Sequence, residues 1–285
     1  MTTTLRPPVL DDAPIAGKIC YDAFKTIAER HGFPPDFPAP DIAIGFMTYM
    51  LSRPDVHGVI AESDGRVVGS NFLWEGDRVA GVGPITVEPG RQNGAIGRNL
   101  MGAVLARAAQ KGIDAVRLVQ AAYHARSLSL YAKLGFESRE PLVAMQGAAL
   151  GISIPDHPVR LAAASDRDAI DGLCRQVHGH DRSGEAAEAT RQGAAMVVEH
   201  GGRVVGYTTG VGFFGHAVGE SSEAIKALIA AATSFSGPGF LLPIRQAELF
   251  RWCLEQKLKV VMPLTLMTIG PYREPKGAFL PSILY

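Results

Sequence analysis

A short polar loop between two apolar runs carries the residues of this sequence that are best suited to bind an anion. Residues 85–87 are strand-like, and from Ile96 onward the apolar residues recur at helical spacing, so the loop leads directly into a helix N-terminus. The free N–H groups and the positive dipole end of such a helix attract phosphate, and Arg91 and Arg98 add positive charge. The loop therefore predicts a phosphate-binding site. It has neither the Gly-Lys-Ser/Thr of nucleotide-triphosphate loops nor the G-x-G-x-x-G of dinucleotide loops.

The loop resembles motif A of the GNAT superfamily of acyl-CoA-dependent N-acyltransferases, whose pattern is Gln/Arg-x-x-Gly-x-Gly/Ala at the start of a helix. Gln92, Ala95 and Gly97 lie on this pattern, with Ala95 in place of the usual first glycine. A surface turn is the alternative interpretation of the same residues. Motif A alone would be a weak indication of function.

A second stretch, residues 124–136, is similar to motif B of the same family, Asn-x-x-Ala-x-x-x-Tyr-x-x-x-Gly-Phe. Tyr131 matches, while His124 replaces the usual asparagine and Ser127 the usual alanine. Taken singly, Tyr131 would also suit the core face of an amphipathic helix, and His124 a helix N-cap region. The two motifs occur in the family's order, with a strand-like run at residues 115–120 between them, and together they favour a cofactor site.

The resemblance implies acetyl-CoA, or another acyl-CoA, as co-substrate, and no metal. In the family, the strand before motif A parts from its neighbour and offers N–H groups to the pantetheine and the thioester oxygen. Tyr131 occupies the family's general-acid position toward the leaving thiolate. The cofactor-binding residues expected from the resemblance are Ile85, Thr86, Val87, Gln92, Asn93, Gly94, Ala95, Ile96, Gly97, Arg98, His124 and Ser127.

The group that accepts the proton of the attacking amine is less sharply indicated. Glu88 is the carboxylate nearest to the expected reaction strand, so it is the predicted catalytic base, against a solvated loop charge as the alternative. Glu75, His31 and Asp36 are further candidates. Asp36 belongs to the segment 32–40, whose four prolines predict a stiff irregular loop, either functional or a packed connector.

Composition limits the class of protein. The 285 residues are 47% hydrophobic and 20% charged, enough for one large or two ordinary domains. The net charge of zero gives no general attraction for nucleic acid or an anionic membrane. No apolar run approaches the roughly 20 residues of a membrane span, and the N-terminus lacks a signal-peptide core, so we expect a cytoplasmic protein. Three widely spaced cysteines, Cys20, Cys174 and Cys253, predict buried thiols and no metal site.

The order of predicted elements is strand, helices, three antiparallel strands, helix, strand, helix, strand. This order is that of the GNAT fold, an α/β (α+β) class with a mixed central sheet flanked by helices. The hairpin has an Asp-Gly turn between two β-rich runs. The predicted bounds are strand 3–6, helices 11–27 and 42–51, strands 56–62, 66–74 and 78–87, then the loop and helix, strand 115–120, the motif-B helix, and strand 141–146.

An internal repeat predicts two tandem GNAT-like domains. The segment Gly-Arg-Val-Val-Gly occurs at residues 65–69 and again at 202–206, each time three residues after a glutamate. A second set of matches pairs Arg6, Asp12 and Cys20 with Arg160, Asp166 and Cys174. We therefore predict a catalytic domain at 1–150 and a second domain at 156–285, with a proline-containing linker at 155–158.

The second half of the repeat lacks the expected cofactor elements. Residues 216–220 lead almost directly into a helix that begins at Ser222, with no Gln-x-x-Gly-x-Gly. The position of Tyr131 corresponds to Cys253 or, with a one-residue slip, to Trp252. The sequence therefore predicts a degenerate GNAT-like domain without a phosphate loop.

The resemblance implies transfer of an acetyl (acyl) group from acetyl-CoA to a primary amine, by direct attack in a ternary complex. The neutral charge and the aromatic, proline-rich loop favour a small-molecule amine, with no nucleic acid and no membrane as partner. A homodimer is compatible with the sequence. A non-catalytic acyl-CoA-binding or regulatory module is the alternative, and longer acyl groups stay open.

Overall fold

The computed structural model describes residues 3–92 and 94–284 and divides into two compact units. Unit 1 runs to Leu118 and also contains Tyr123–Phe136. Unit 2 contains Val119–Ala122 and Glu137–Ile283. Both units combine helices with β-strands, so the predicted α/β class is confirmed.

Unit 1 has a mixed sheet with helices packed on it. The strand order is β1-β2-β3-β4-β6, antiparallel except for the parallel pair β4–β6, and the short strand β5 pairs with β3. The last three residues of β6 belong to unit 2. The elements are β1 Thr3–Arg6, α1 Ala13–Arg30, α2 Pro40–Leu51, β2 Val56–Ser63, β3 Arg66–Trp74, β4 Val79–Val82, β5 Thr86–Val87, α3 Ile96–Gln110, β6 Ala115–Ala121 and α4 Ala125–Lys133.

The strand predicted at 78–87 is interrupted. β4 ends at Val82 and β5 begins at Thr86. Between them, Gly83 has φ 140, a conformation that side-chain-bearing residues rarely adopt, and Pro84 has no N–H to donate to a ladder. The prediction of one continuous strand at 78–87 was therefore wrong, and Gly83 and Pro84 account for the break.

Two glycines allow the elements around this break to approach closely. A Cβ on Gly69 would lie 2.6 Å from the carbonyl oxygen of Thr86, so β3 and β5 could not pair as they do with a larger residue. A Cβ on Gly17 would lie 2.5 Å from the Cα of Ile44, so α1 and α2 owe their close contact to this glycine. The position of the loop that joins the two helices is fixed by that contact.

Unit 2 contains two sets of antiparallel strands. One is the sheet β14-β11-β10-β9-β8, and in the other β7 lies between β12 and β13. Apolar residues of β7, β12, α7 and α8 form one buried core cluster. The elements are β7 Glu137–Gln146, β8 Val159–Leu161, α5 Arg167–His178, α6 Ser183–Arg191, β9 Met196–His200, β10 Arg203–Thr208, β11 Ala217–Gly219, α7 Ser222–Ala231, β12 Phe240–Pro243, α8 Ala247–Glu255, β13 Lys259–Ile269 and β14 Ala278–Leu280.

The repeat seen in the sequence has a counterpart in side-chain geometry. In unit 1, Arg6 forms a two-nitrogen fork on Asp12, with both N–O distances at 2.7 Å, and its Nε also donates to Glu62. In unit 2, Arg160 makes the same fork on Asp166, at 2.6 and 2.8 Å, and its Nε donates to Glu199. The repeated arginine, aspartate and glutamate therefore form the same hydrogen-bonded arrangement once in each unit.

The compact units do not coincide with the repeat-based domains. Strand β7 lies in the first half of the repeat, but it pairs with β12 through Val143↔Leu242 and with β13 through Val143↔Pro263. It is therefore part of unit 2, which begins at Glu137 in this region rather than at 156. The domains 1–150 and 156–285 remain a prediction about the repeat.

The described residues were compared with the requirements of a membrane-spanning helix and of a metal site. None of their helices combines the length and the apolar character that crossing a membrane requires. Their His, Cys, Asp and Glu side chains nowhere gather in a group of three or more that could hold a metal ion. Cys20, Cys174 and Cys253 are buried free thiols, as predicted.

Candidate active site

The loop after β5 leads into a helix N-terminus that no side chain of the described residues caps. Helix α3 begins at Ile96, and its N-cap residue Ala95 has no side-chain hydrogen-bond acceptor. The first N–H groups of a helix lack partners within the helix, so those of α3 are available to an external acceptor. Its first turn contains no acidic residue, and Arg98 is part of it. This end of α3 can therefore hold an anion.

Gln92 and Arg126 link the loop to the helix of motif B. The side-chain amide of Gln92 donates to the carbonyl oxygen of Val87 at 3.1 Å, and its oxygen accepts from Arg126 at 2.5 Å. Arg126 lies on α4, so a second cation reaches the loop from a different element. We did not expect Arg126 from the sequence, although its place two residues after His124 was visible there.

Strand β5 has an open edge. Thr86 and Val87 pair with β3, and within 3–92 and 94–284 β5 pairs with no other strand. The parallel pairing of β4 with β6 ends at Gly81↔Arg117. Apart from the Val87 carbonyl, which accepts from Gln92, the outer side of residues 85–87 has no strand partner among the described residues, so an extended ligand with amide groups could add to this edge like another strand.

The α3 helix is held beside this edge by a buried asparagine. The Asn71 side-chain nitrogen on β3 is 3.4 Å from the carbonyl oxygen of Leu100 and 3.3 Å from the sulfur of Met101, both in the first turns of α3. Its own oxygen accepts from the N–H of Phe72 at 2.9 Å. Asn71 is fully buried, so these contacts are shielded from water. The sequence analysis missed this residue, because one polar position in an apolar strand run gives no signal of its own.

Motif B places a histidine and a tyrosine at the start and near the end of α4. His124 is the N-cap residue, and its Nε2 is buried and bonds to no atom of the described chain. Burial lowers the pKa of His124 to about 4, with Arg126, His31 and Arg30 contributing, so the ring is neutral near pH 7. Ser127 donates its hydroxyl to the His124 carbonyl at 2.8 Å.

Tyr131 is 7% exposed and packs edge-on against Phe136 with ring centroids 6.0 Å apart. Its hydroxyl donates to no group of the described residues. Burial raises its pKa, so the phenol keeps its proton at neutral pH and can donate it. These properties suit a general acid.

Glu88 has a structural counterpart in unit 2. The N–H of Glu88 donates to the Val68 carbonyl at 2.9 Å, and the N–H of Glu220 donates to the Val205 carbonyl at the same distance. Glu220 forms a two-nitrogen pair with Arg203 at 2.6 Å, whereas Glu88 lies 4.0 Å from Arg66, the matching arginine.

Glu88 also lies 3.9 Å from Arg91. Glu88 thus has two arginines within 4.0 Å, at a position where the other unit uses an acid for a hairpin ion pair. Its role as the base therefore stays a prediction that the geometry does not favour.

Glu75 is also committed to ion pairs. Its carboxylate accepts from Arg107 at 2.7 and 2.8 Å and lies 3.4 Å from Lys111. The hydrogen bond from Arg107 lowers the pKa of Glu75, so this group binds a proton weakly. Glu75 is therefore a less suitable base than a carboxylate without a cation.

The equivalent loop position in unit 2 is closed by its own side chains. Between Glu88 and α3 lie the seven residues 89–95, whereas between Glu220 and α7 lies only Ser221. The Ser221 hydroxyl accepts from the N–H of Ala224 at 3.3 Å, and Glu223 stands in the first turn. This N-terminus is therefore capped and acidic, unlike that of α3.

The equivalent strand edge in unit 2 is also occupied. Strand β11 precedes Glu220 as β5 precedes Glu88, and β14 pairs with it along Ala217–Gly219. Helices α4 and α8 begin after residues 124 and 246, so Gln246 occupies the position of His124. The Gln246 side chain donates to the carbonyl of Phe279 at 2.7 Å and accepts from its N–H at 3.1 Å. Strand β14 therefore pairs with the edge of β11 and bonds to the Gln246 side chain. The equivalent groups of unit 1 are the outer edge of β5 and the Nε2 of His124, and neither has such a partner among the described residues.

The structure brings most of the predicted site residues together in unit 1. Ile85, Thr86 and Val87 form the break and the open edge, and Gly94, Ala95, Ile96, Gly97 and Arg98 form the entry to α3, next to Gln92. His124, Ser127 and Tyr131 lie on the motif-B helix. Asn93 lies outside the described residues. The roles of these residues toward a cofactor stay predictions.

Comparison with known proteins supports the family on independent grounds. Residues 21–136 match the sequence pattern of the acetyltransferase (GNAT) family. This segment contains both motifs and lies almost wholly in unit 1. No curated protein matches the chain at a significant level.

Three solved structures resemble the chain over nearly its whole length. A protein from Pyrococcus horikoshii assigned as an acetyltransferase has a TM-score of 0.74 at 17% identity, covering 97% of this chain and 94% of its own. A GCN5-related N-acetyltransferase from Sphaerobacter thermophilus has a TM-score of 0.63 at 14% identity, covering 97% and 98%. A tandem GNAT protein from the clavulanic acid biosynthesis pathway has a TM-score of 0.54 at 14% identity, covering 95% and 100%.

At these identities the structures share the fold, and their substrates do not transfer to this chain. Members of the matched family transfer acyl groups from acetyl-CoA. Residues 21–136 therefore carry the sequence pattern of the acetyltransferase (GNAT) family, and the chain as a whole shares its fold with the three solved structures.

Proposed function

We propose that unit 1 transfers an acetyl (acyl) group from acetyl-CoA to the primary amine of a small molecule, by direct attack within a ternary complex. One observation carries the proposal. Among the described residues, no second strand pairs with β5 and no side chain caps α3, whereas unit 2 closes both equivalent positions with β14 and Ser221. Backbone amides left open at two adjacent places suit a ligand that carries both amides and phosphates.

The residues of unit 1 fit coenzyme A in their chemistry. The N–H groups at the start of α3, with Arg98 and Arg126 nearby, would hold the pyrophosphate. The edge of residues 85–87 would pair with the amide-bearing arm. The buried Nε2 of His124 would bind an amide of that arm, as the Gln246 side chain binds the peptide group of Phe279 in unit 2.

Bound acetyl-CoA would supply an acetyl group activated as a thioester. The N–H groups of residues 85–87 orient the carbonyl and stabilise negative charge on its oxygen, which is typically the largest single contribution to such catalysis. Tyr131 holds its proton and donates it to sulfur as the thiolate leaves. Positioning of the amine beside the thioester supplies much of the remaining acceleration.

The small-molecule acceptor, a homodimer and a cytoplasmic location stay part of this proposal. The chain has no net charge, which offers no long-range attraction to a basic protein tail. The aromatic and proline-rich loop between α1 and α2 provides walls for a small molecule, with Phe37 buried and Phe33 half-buried.

The proposal is tested by measuring thiol release from acetyl-CoA in the presence of a panel of primary amines. Turnover that depends on the amine and yields the N-acetyl product supports transfer. Tight binding of acetyl-CoA without turnover of any amine would instead favour the non-catalytic acyl-CoA-binding module. Absence of acetyl-CoA binding would contradict both.

A further inference from the structure

Asp36 is a partly buried carboxylate that forms no ion pair with the described residues. It lies in the loop between α1 and α2, is half-buried, and makes no hydrogen bond or ion pair with any residue in 3–92 or 94–284. Its negative charge contributes to the raised pKa values of the Cys20 thiol on α1 and of the Tyr123 phenol just before α4. A desolvated carboxylate without a cation is costly, and such groups are typical of sites where a ligand supplies the missing charge.

Aromatic rings stand around the loop that carries Asp36. Phe33 stacks on Tyr123 with centroids 4.3 Å apart and an interplanar angle of 12°. His31 packs on the same Tyr123 ring at 5.4 Å. Phe37, the residue after Asp36, packs against Phe24 and Phe46 at 6.1 Å each. Aromatic faces attract organic cations, so they add to the attraction of the carboxylate.

This group of residues adjoins motif B. Tyr123 immediately precedes His124, and the charges of His31 and Arg30, at the end of α1, contribute to the low pKa of His124. The loop that carries Asp36 therefore lies next to the residue that we assign to the cofactor arm. The neutral His124 ring adds no positive charge that would repel an ammonium group.

We infer that Asp36 accepts the proton of the acceptor amine, and that the acceptor is a primary ammonium carried on an apolar or aromatic carbon chain. This inference rests on the proposed function. A substrate with a carboxylate beside its amine is disfavoured, because that carboxylate would face the unpaired Asp36. The other acids near the reaction strand, Glu75 and Glu88, already lie beside arginines.

The pKa of Asp36 suits a group that accepts a proton from the amine. Burial raises the pKa of Asp36 to about 7, so its carboxylate can take a proton near neutral pH and release it again. The titratable groups around it are the Cys20 thiol and the Tyr123 phenol, whose pKa values are raised and which stay uncharged, and His31.

The proposed transfer balances as follows. Asp36 removes one proton from the ammonium, and the free amine nitrogen forms a bond to the acetyl carbon. The carbon–sulfur bond breaks with its electron pair on sulfur, which takes the Tyr131 proton. The second proton lost by nitrogen restores Tyr131, and Asp36 releases its proton to water, so one proton is produced per turnover.

The test compares the natural protein with Asp36→Asn, Asp36→Glu and, as a matched control, Asp41→Asn. Asp41 is exposed and lies at the start of α2 outside the aromatic group. Phenethylamine is the acceptor and glycine the carboxylate-bearing comparison. We measure kcat/KM as a function of pH, acetyl-CoA affinity by calorimetry, and Tm.

We expect Asp36→Asn to lower kcat/KM for phenethylamine by about 10²- to 10⁴-fold, with unchanged acetyl-CoA affinity. The natural protein and Asp41→Asn should lose activity as the pH falls through about 7, because a protonated Asp36 cannot accept a proton, and Asp36→Asn should lack this dependence. Asp36→Glu should recover part of the rate. The Tm of Asp36→Asn should not fall, since the neutral amide removes an unpaired buried charge.

Two results would overturn the inference and leave the proposed function standing. One is turnover in Asp36→Asn within a few-fold of the natural protein. The other is acetyl-CoA binding by the natural protein with faster acetylation of glycine than of phenethylamine, or with no acetylation of phenethylamine. Failure of the natural protein to bind acetyl-CoA would instead contradict the proposed function itself.

Discussion

Tyr131 and Cys253 show at the scale of single residues how the two units differ. Each lies seven residues after the N-cap of its helix and is buried, Tyr131 on α4 and Cys253 on α8. Burial raises the pKa of the Cys253 thiol to about 12. Neither group ionises near neutral pH, but only Tyr131 lies on the helix that carries motif B. The same position thus serves packing in one unit and is available for proton donation in the other.

Replacing Tyr131 by phenylalanine tests its role as proton donor. The ring and its contact with Phe136 are kept, so Tyr131→Phe should leave acetyl-CoA affinity and Tm nearly unchanged. The thiolate would leave without its donor, and kcat should fall by about 10²- to 10⁴-fold. Steady-state kinetics and calorimetry measure the two quantities. Tyr49→Phe, at an exposed tyrosine of α2, is the control, and an equal loss of kcat in both variants would contradict the assignment.

At the scale of elements, strand β14 takes the place in unit 2 that we assign to the cofactor arm in unit 1. Gln246→Ala removes both hydrogen bonds to the peptide groups of Phe279 and should lower the free energy of unfolding by about 1–3 kcal/mol. His124→Ala removes no hydrogen bond of the ring Nε2, so it should cost little stability and weaken acetyl-CoA binding.

Denaturant unfolding and calorimetry on both variants measure these effects. The reverse pattern, with unfolding sensitive to His124 and indifferent to Gln246, would show that the two positions are not equivalent in the way proposed.

The sequence predicted most elements of unit 1 because their signals are local. The hairpin follows from its Asp-Gly turn, and helix α3 follows from its apolar spacing. The pairing of β14 with β11, and of β7 with β12, joins residues about 60 and about 100 positions apart and leaves no local signal. The break at Gly83–Pro84 was visible as residue types, but its effect on β4 and β5 depends on their neighbours.

The site residues, like the elements, could be predicted from the sequence only where their signals are local. Motifs A and B predict the residues that a ligand would contact, because these lie in short runs with fixed spacing. The contacts of Arg126 and Asn71, and the arginines beside Glu88, became clear only from side-chain partners in space. The comparison of Glu88 with Glu220 needed both the repeat in the sequence and the hydrogen bonds in the structure.

At the scale of the whole molecule, a buried polar network should make stability dependent on pH. In unit 2, the Nδ1 of His216 lies 2.9 Å from Glu185 and its Nε2 lies 2.9 Å from the Tyr207 hydroxyl. Burial lowers the pKa of His216, with Arg182 contributing. Burial opposes the ionised form of Glu185, but the charges of Arg182 and His216 outweigh it and bring its pKa to about 2.

The lowered pKa values of His216 and Glu185 both make the folded protein less stable as the pH falls. Below about pH 6.5 an unfolded histidine binds a proton that folded His216 resists, and below about pH 4.5 an unfolded glutamate does the same relative to Glu185. Stability should therefore be greatest above pH 6.5 and fall as the solution is acidified. Tm measured from pH 7.5 to about 5 should decrease, and His216→Gln should flatten this dependence while lowering Tm at pH 7.5. An unchanged slope in His216→Gln would contradict this account.

The most direct test of the central claim is the calorimetric titration of acetyl-CoA into the natural protein, Gly97→Trp and Gly102→Trp. Both glycines lie on α3, but Gly97 belongs to its first turn and Gly102 is exposed further along the helix. We predict that the natural protein and Gly102→Trp bind acetyl-CoA equally well, and that Gly97→Trp does not bind, because the indole covers the N–H groups that hold the pyrophosphate. Binding of equal strength by Gly97→Trp, or its absence in the natural protein, would contradict the placement of the cofactor in unit 1.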